Sequence, residues 1–232
     1  MKDLFGKAIL DFQTNNSPED IITETNISDA DEMSVAYLFR SYNEMPKLEQ
    51  KALQLAKGKV LDVGCGAGSH SLYLQEKGFE VTSIDISGNA IKACQLRGLK
   101  NAKARNILDL DSDLHQNDNF DTILLLMNGT GIFQTISESS KYLQKLKSLL
   151  NPNGQILIDS SDIIYMFNED EVPTDNYYGE LTFTISYKNE TENPFPWLYL
   201  DYKLLEKLAT ENGLQCELIE NGEHYDYLAR LY

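Results

Sequence analysis

The stretch Val60-Leu61-Asp62-Val63-Gly64-Cys65-Gly66-Ala67-Gly68 decides the fold of this chain. Its first half is typical of a buried strand, and the strand runs directly into three alternating glycines. Glycine permits a tight turn and lets a ligand approach the backbone closely. In open α/β sheets, ligands bind at the carboxyl ends of the strands, beside a first turn of this kind. We therefore expect a ligand site at residues 64–68.

Strands and helices alternate on the carboxyl side of this stretch. Strands are predicted at 59–63, 79–85, about 102–107, 121–127 and 155–159, and helices at about 68–77, 88–97 and 136–149. The fourth strand is nearly all apolar, as strands buried on both faces of a parallel sheet are. The alternation predicts an α/β, Rossmann-like fold with a doubly wound, mostly parallel sheet. A helix at 201–212 and two strands flanking Asn221-Gly222 predict a closing antiparallel hairpin, which makes seven strands.

The remaining segments are predicted to surround this core. An amphipathic helix at 3–13, a helix capped by Ser28 and a helix opened by Pro46 predict a helical N-terminal lid. The sheet does not need the segment after its fifth strand, so that segment is interpreted as a cap insertion over the carboxyl edge. The predicted division is a lid at 1–55, the core at 56–160, the insertion at 161–200 and the closing helix and hairpin at 201–232.

Composition excludes several classes of function. The chain has 36 acidic and 20 basic residues, a formal net charge of −16, so it repels phosphate backbones and nucleic acid is disfavoured as a partner. No apolar run approaches the ~20 residues needed to span a membrane. The three cysteines lack metal-ligand spacing, and we expect no metal site. The N-terminus lacks the apolar run of a secretory signal, which favours a cytoplasmic location.

Two acidic residues make the glycine turn more specific. Asp62 precedes the first glycine by two residues, and Asp85 ends the next predicted strand, 21 residues after Gly64. A carboxylate at that strand end accepts hydrogen bonds from the hydroxyls of an adenosine ribose. The alternative for Asp85 is a simple helix-capping acid, which the spacing disfavours.

Residues 62–68, followed by Ser83-Ile84-Asp85-Ile86-Ser87, resemble motifs I and II of class I S-adenosylmethionine-dependent methyltransferases. The resemblance covers 56–160 closely and the closing helix and hairpin more loosely. It implies S-adenosyl-L-methionine as the cofactor and methyl transfer as the activity. The cofactor-binding residues that it implies are Asp62, Gly64, Cys65, Gly66, Gly68, Asp85, Ile86, Asn106, Ile107, Met127 and Asn128.

The resemblance also implies a role for several of these residues. Asp85 would bind the ribose hydroxyls, with Ile86 against the adenine. Asn106 and Ile107 would meet the adenine edge, although the family often has an acid at the first of these positions. Met127 and Asn128 would line the space near the sulfonium, and Asp62 would hold the loop and the ammonium of the ligand.

The acceptor is expected to be selected by the insertion together with the N-terminal segment. Tyr37, Phe39, Arg40 and Tyr42 precede Pro46, where an N-terminal lid is expected to close over the cofactor, and Arg40 is its hypothetical cofactor contact. Aromatic residues are concentrated at 163–202, where most are expected to pack the cap onto the sheet. His70 is interpreted as a cofactor-side or surface residue rather than as a base, and the sequence identifies no catalytic residue.

Several alternatives remain open from the sequence. A small-molecule acceptor is favoured, a protein acceptor comes second, and a catalytically silent cofactor-binding protein is third. A nicotinamide dehydrogenase is a distant alternative, because its usual fingerprint is G-x-G-x-x-G and residue 69 is serine. Methyltransferases that act on amino groups of nucleic acids carry two prolines and an aromatic residue after the position of Asn128. Here Gly129 follows Asn128, so the sequence does not indicate that activity.

Overall fold

The computed structural model describes residues 2–113 and 119–232. The strands are β1 (Ile21–Thr25), β2 (Ser28–Met33), β3 (Lys59–Val63), β4 (Glu80–Asp85), β5 (Ala102–Ala104), β6 (Phe120–Leu125), β7 (Leu150–Ser161), β8 (Glu180–Tyr187), β9 (Glu190–Thr191), β10 (Phe195–Leu198), β11 (Cys216–Asn221) and β12 (Asp226–Leu231). The α-helices are α1 (Leu4–Thr14), α2 (Lys47–Leu55), α3 (Ser69–Glu76), α4 (Gly88–Leu96), α5 (Ile136–Ser148) and α6 (Tyr202–Glu211).

The larger sheet has seven strands in the order β11-β12-β7-β6-β3-β4-β5. Strands β3 to β7 run parallel, whereas β12 pairs antiparallel with both β7 and β11. The chain order reverses between β3 and β6, and crevices form at such points in doubly wound sheets. The predicted seven-stranded Rossmann-like sheet with an antiparallel C-terminal hairpin is therefore confirmed.

The central strands are apolar because helices cover both of their faces. Leu61, Ile123 and Leu124 are fully buried, as expected for strands in the middle of a parallel sheet. Helix α4 begins where predicted, because the Ser87 hydroxyl accepts a hydrogen bond from the backbone N–H of Ala90 at 2.9 Å. These local signals fix the strand-to-helix turns from which the site is built.

The second sheet was not predicted. It follows the order β10-β8-β1-β2, with β9 paired to β8, so it joins the N-terminal segment to the insertion. The predicted helix capped by Ser28 is wrong: Ser28 begins β2 and pairs with Thr25 across a tight turn. The acids that follow Ser28 suit a helix start, but pairing with β1 satisfies the backbone of this segment instead. Residues 1–55 therefore contain a hairpin as well as helices α1 and α2.

Helix α1 packs directly on α4. A Cβ built on Gly6 would lie 1.8 Å from Oγ of Ser87, so this glycine allows close contact between the two helices. The Asp3 carboxylate accepts hydrogen bonds from the backbone N–H and the side-chain amide of Asn89, at 3.3 and 2.9 Å. Helix α1 is thereby fixed beside the carboxyl end of β4.

The aromatic residues of the insertion form a packed cluster. The rings of Phe183 and Trp197 are 5.9 Å apart, and those of Phe183 and Phe195 are 6.3 Å apart. A Cβ built on Gly131 would lie 2.0 Å from the Trp197 ring, so the indole rests on the segment that follows β6. This cluster docks the insertion onto the carboxyl edge of the sheet.

Several strand ends differ from the prediction. Strand β5 ends at Ala104 rather than near residue 107, β6 ends at Leu125 rather than at Met127, and β7 spans Leu150–Ser161 rather than 155–159. Positive backbone φ angles of 65° at Met127 and 61° at Asn128 end the extended conformation there. Among the described residues, no helix is long and apolar enough to cross a membrane.

Candidate active site

The glycine loop lies between β3 and α3 in a conformation that favours glycine. The φ angles of Gly64, Gly66 and Gly68 are 73°, 51° and 81°. The backbone N–H groups of Gly64 and Cys65 donate to the carbonyl oxygen of Ile84, at 2.9 and 3.1 Å. The loop is therefore held against the carboxyl end of β4.

The three glycines differ in what surrounds them. A Cβ on Gly68 would lie 2.6 Å from Leu99, and one on Gly64 would lie 3.0 Å from Ile132, so both positions are restricted by packing. A Cβ on Gly66 would meet nothing within 4 Å. Gly66 thus faces open space, and a ligand can approach its backbone there.

Asp85 connects the end of β4 to the loop. Its Oδ2 accepts the backbone N–H of Gly66 at 3.0 Å, and its Oδ1 accepts that of Ser87 at 2.8 Å. Burial raises the pKa of this carboxyl group above its ordinary value. Beside it, the apolar side chain of Ile86 is 62% exposed. A partly buried carboxylate and an open apolar surface therefore adjoin at this strand end.

Asp62 lies underneath the loop. Its side chain is buried, and its Oδ2 accepts a hydrogen bond from the Ser71 hydroxyl at 2.6 Å. Ser71 in turn lies 2.7 Å from the hydroxyl of Ser83 on β4. These contacts make Asp62 a support that joins β3 to α3, whereas its contact with the ammonium of a ligand stays a prediction.

Cys65 is buried among apolar side chains behind the loop. Its sulfur lies 4.0 Å from that of Cys94 on α4. Cys94 Sγ is also 3.2 Å from the carbonyl oxygen of Gly66. The side chain of Cys65 therefore packs the loop onto α4. Only the backbone of Cys65 is available for contact with a ligand.

Asn106 and Ile107 follow β5 at the edge of the same groove. Asn106 is exposed, and its Oδ1 already accepts the backbone N–H of Leu108 at 2.9 Å. Ile107 is 4% exposed, and its side chain packs in the main core. The groups that remain available to contact an adenine edge are therefore the Asn106 side chain and the backbone of Asn106 and Ile107.

Asp159, at the carboxyl end of β7, holds the turn after β6. Its two oxygens accept the backbone N–H groups of Met127 and Gly129, each at 3.0 Å. Burial, together with the charge of Glu49, raises the pKa of Asp159 to about 6. Asn128 Oδ1 accepts from the Ser160 hydroxyl at 3.1 Å. The buried Asn128 Nδ2 has no hydrogen-bond partner within the described residues.

Arg40 takes part in a buried charge cluster. Its guanidinium donates to both oxygens of Glu49 at 2.5 Å and to the carbonyl oxygen of Tyr37 at 2.7 Å. Glu49 Oε2 also lies 2.6 Å from Nε2 of His70, the second residue of α3. Burial alone would raise the pKa of Glu49, but contacts with His70 and Arg40 outweigh burial and hold the pKa below its ordinary value. The cluster ties the N-terminal segment to the helix that follows the glycine loop.

A cavity of about 250 Å³ opens beside this cluster, over β6 and β7. Its polar lining includes Tyr37, Glu49, Asn128, Asp159, Ser161 and Asp226. Asp85, the glycine loop, Asn128 and Asp159 follow one another across the sheet, at the ends of β4, β3, β6 and β7. The candidate site therefore has two parts: a groove at β4 and β3, and a cavity at β6 and β7.

The sequence did not identify several of the side chains that line the cavity, among them Glu49, Asp159 and Asp226. Glu49 lies on the inner face of α2, where the pattern shows only apolar packing, and its partner His70 lies 21 residues away in sequence. Asp159 carries a usable signal, because it ends a predicted strand just as Asp85 does. Tyr37, which the sequence places with Arg40 in the N-terminal lid, is brought to the cavity by a 3₁₀ helix at Val35–Phe39.

The chain matches the methyltransferase domain family over residues 55–223. A crystal structure of a SAM-dependent methyltransferase from Bacteroides fragilis, in complex with S-adenosyl-L-homocysteine, aligns with a TM-score of 0.90 and 43% identity. The alignment covers 100% of this chain and 94% of that one.

Two curated enzymes match parts of the chain. Glycine N-methyltransferase of Rattus norvegicus is 30% identical over 173 residues, which are 67% of this chain and 59% of that enzyme. Ubiquinone biosynthesis O-methyltransferase of Xanthomonas euvesicatoria pv. vesicatoria is 27% identical over 113 residues, 47% of this chain and 45% of that enzyme. The chain thus spans about half the length of the curated relatives it matches. The fold, the family match and the 43% identical structure together show that the chain belongs to the class I S-adenosylmethionine-dependent methyltransferases.

Proposed function

We propose that this chain binds S-adenosylmethionine in the groove at β3 and β4 and methylates a small molecule bound in the cavity at β6 and β7. The observation that carries the proposal is the contact between Asp85 and Gly66. It fixes a carboxylate at the strand end beside an open stretch of glycine backbone. This is the arrangement that binds an adenosine ribose in dinucleotide-type folds.

The residues of the groove fit the cofactor. Each Asp85 oxygen accepts one backbone N–H, which leaves further lone pairs for ribose hydroxyls. Ile86 provides an exposed apolar surface suited to adenine. Gly64, Gly66 and Gly68 carry the loop past the ligand, with Asp62 and Cys65 supporting it from behind. Asn106 and the backbone of Ile107 lie at the adenine edge of the groove.

The chain itself is proposed to act by positioning. The cofactor supplies an activated methyl group on a sulfonium, which is a good leaving group. Met127 and Asn128 lie between the groove and the cavity, and the unpaired amide of Asn128 is available to orient a polar group there. Arg40 is proposed to support the groove indirectly: it holds Glu49, which in turn contacts His70 at the start of α3. A direct contact with the cofactor is not proposed, because the charge of Arg40 is already paired with Glu49. Alignment of this kind supplies about 7–11 kcal/mol in favourable intramolecular cases.

The size of the cavity supports a small-molecule acceptor. Its volume of about 250 Å³ lies just below the ~300–1,000 Å³ typical of small-molecule sites, so it suits a compact acceptor. The named relatives include an N-methyltransferase and an O-methyltransferase, so they differ in the atom that receives the methyl group. The lining of the cavity in this chain therefore decides which kind of acceptor it binds.

The test is incubation with methyl-tritiated S-adenosylmethionine and two fractions of a cell extract, the small-molecule filtrate and the retained macromolecules. We expect label to enter the filtrate in a protein-dependent way and to be lost with Asp85→Ala. Label in macromolecules alone would contradict a small-molecule acceptor. Absence of label from both fractions, with cofactor binding intact, would favour a catalytically silent protein.

A further inference from the structure

The charge of the cavity wall carries an inference about the acceptor, and this inference rests on the proposed function. Three carboxylates, Glu49, Asp159 and Asp226, line the cavity. No lysine, arginine or histidine belongs to its lining within residues 2–113 and 119–232. A wall of one charge sign favours ligands of the opposite sign.

The three carboxylates are not equivalent. Glu49 is neutralised by the guanidinium of Arg40, at 2.5 Å. Asp159 accepts two backbone N–H groups, and Asp226 Oδ1 accepts the backbone N–H of His224 at 3.0 Å. In the part of the chain that the structure describes, neither aspartate has a lysine or arginine partner. The excess negative charge of the cavity therefore lies on Asp159 and Asp226.

Other lining groups suit an amine as well. Tyr37 lines the cavity and is 44% exposed; the Arg40 guanidinium lies 4.1 Å from the centre of its ring, so a ligand cation would use the opposite face. Asn128 Oδ1 and the hydroxyl of Ser161 are further acceptors for N–H donors. Pro46, Leu48 and Met127 add an apolar wall for the carbon skeleton.

We propose that the acceptor is a small organic amine, methylated on nitrogen, with Asp159 and Asp226 as the residues that select it. The amine loses one proton to water before reaction. Its nitrogen lone pair then forms the N–C bond as the S–C bond of the sulfonium breaks and that electron pair stays on sulfur. Positive charge moves from sulfur to nitrogen, so carboxylates beside the nitrogen stabilise the transition state and the methylammonium product.

The same charges disfavour other acceptors. A phenolate, carboxylate or phosphonate would bring a negative charge against Asp159 and Asp226 at short range. Like charges a few ångströms apart repel each other near a protein surface, which weakens the binding of an anion. An amino acid such as glycine is also disfavoured, because no free basic group lines the cavity, within the described residues, to pair with its carboxylate.

The test measures binding to the protein saturated with S-adenosylhomocysteine. The probes are matched sets of benzylamine, benzyl alcohol and benzoate, and of cyclohexylamine, cyclohexanol and cyclohexanecarboxylate, titrated by calorimetry. We expect each amine to bind at least tenfold more tightly than its alcohol, and each acid not to bind. Equal affinity of amine and alcohol, or tighter binding of the acid, would overturn the proposal.

Variants separate this inference from cofactor binding. Asp226→Asn keeps an oxygen for the N–H of His224 and is expected to lower amine affinity about tenfold with unchanged affinity for S-adenosylhomocysteine. Asp159→Asn is also expected to lower amine affinity. Asp29→Asn removes a carboxylate from the exposed face of β2, outside the lining of the cavity, and serves as the charge control. Unchanged amine affinity in Asp226→Asn, or an equal loss in Asp29→Asn, would contradict the selection. If S-adenosylhomocysteine itself fails to bind wild type, the proposed function fails first.

Discussion

The carboxylate of Asp85 accepts the backbone N–H of Gly66 at 3.0 Å, and this contact joins the end of β4 to the open middle of the glycine loop. The local sequence determines the position of both residues: Asp85 ends β4, and Gly66 follows the neighbouring strand β3. Parallel pairing of β3 with β4 brings them together. Pairing within the sheet therefore brings together the two halves of the groove in which we propose that the cofactor binds.

Gly66→Ala tests whether the open space above the loop is where the ligand lies. The φ of 51° makes alanine cost about 1–2 kcal/mol of folding free energy, and the added methyl group would occupy space that is otherwise free. We expect affinity for S-adenosylhomocysteine to fall at least tenfold. Gly78→Ala is the control, since Gly78 also has a positive φ, 89°, and open surroundings but lies at the opposite end of α3. Equal ligand affinity in both variants would argue against this placement.

The pair Arg40–Glu49 provides a stability prediction. Removal of one partner of a buried ion pair leaves an uncompensated charge and costs about 3–5 kcal/mol. We expect Glu49→Leu to lower the free energy of unfolding by about that amount. The double variant Arg40→Leu/Glu49→Leu should lose less than the sum of the single variants. Chemical denaturation of the four proteins measures the coupling, and strictly additive losses would show that the pair does not act as a unit.

Asp159 predicts a pH dependence of stability. Its pKa in the folded chain is raised to about 6, whereas an unfolded aspartate titrates near 3.9. Between these values the folded state binds the extra proton, so this group makes the fold more stable as the pH falls from 7 towards 4. The slope from one such group is at most about 1.4 kcal/mol per pH unit. We expect Asp159→Asn to remove this component, as measured by urea denaturation at several pH values; parallel curves for both proteins would contradict it.

The contact of Trp197 with Gly131 gives a spectroscopic prediction. Trp197 is the single tryptophan of the chain, so its fluorescence reports this contact alone. Gly131→Ala would place a methyl group 2.0 Å from the indole and must displace the ring. We expect a shifted emission maximum and a melting temperature lower by several degrees. Gly88→Ala, where a Cβ meets nothing within 4 Å, should leave the emission unchanged; a shift of equal size there would refute the packing account.

The local structure of the glycine loop and the position of Asp85 could be predicted from the sequence, whereas the cavity could not. The glycine loop and Asp85 are set by local patterns, since each follows a strand whose apolar run is evident. The hairpin of β1 and β2 was missed because β1 is stabilised by pairing with β8, in which Ile22 lies opposite Ser186, about 160 residues later in the chain. Likewise, the contact of Glu49 with Arg40 and His70 depends on how α2 packs, and no local spacing encodes it.

The central claim is tested most directly by calorimetric titration of the wild type and Asp85→Ala with S-adenosylhomocysteine and, separately, with NAD. We predict micromolar binding of S-adenosylhomocysteine to the wild type, no binding of NAD, and at least a tenfold loss of affinity in Asp85→Ala with the protein still folded. A folded wild type that does not bind S-adenosylhomocysteine, or an Asp85→Ala variant that binds it equally well, would contradict the account of the groove.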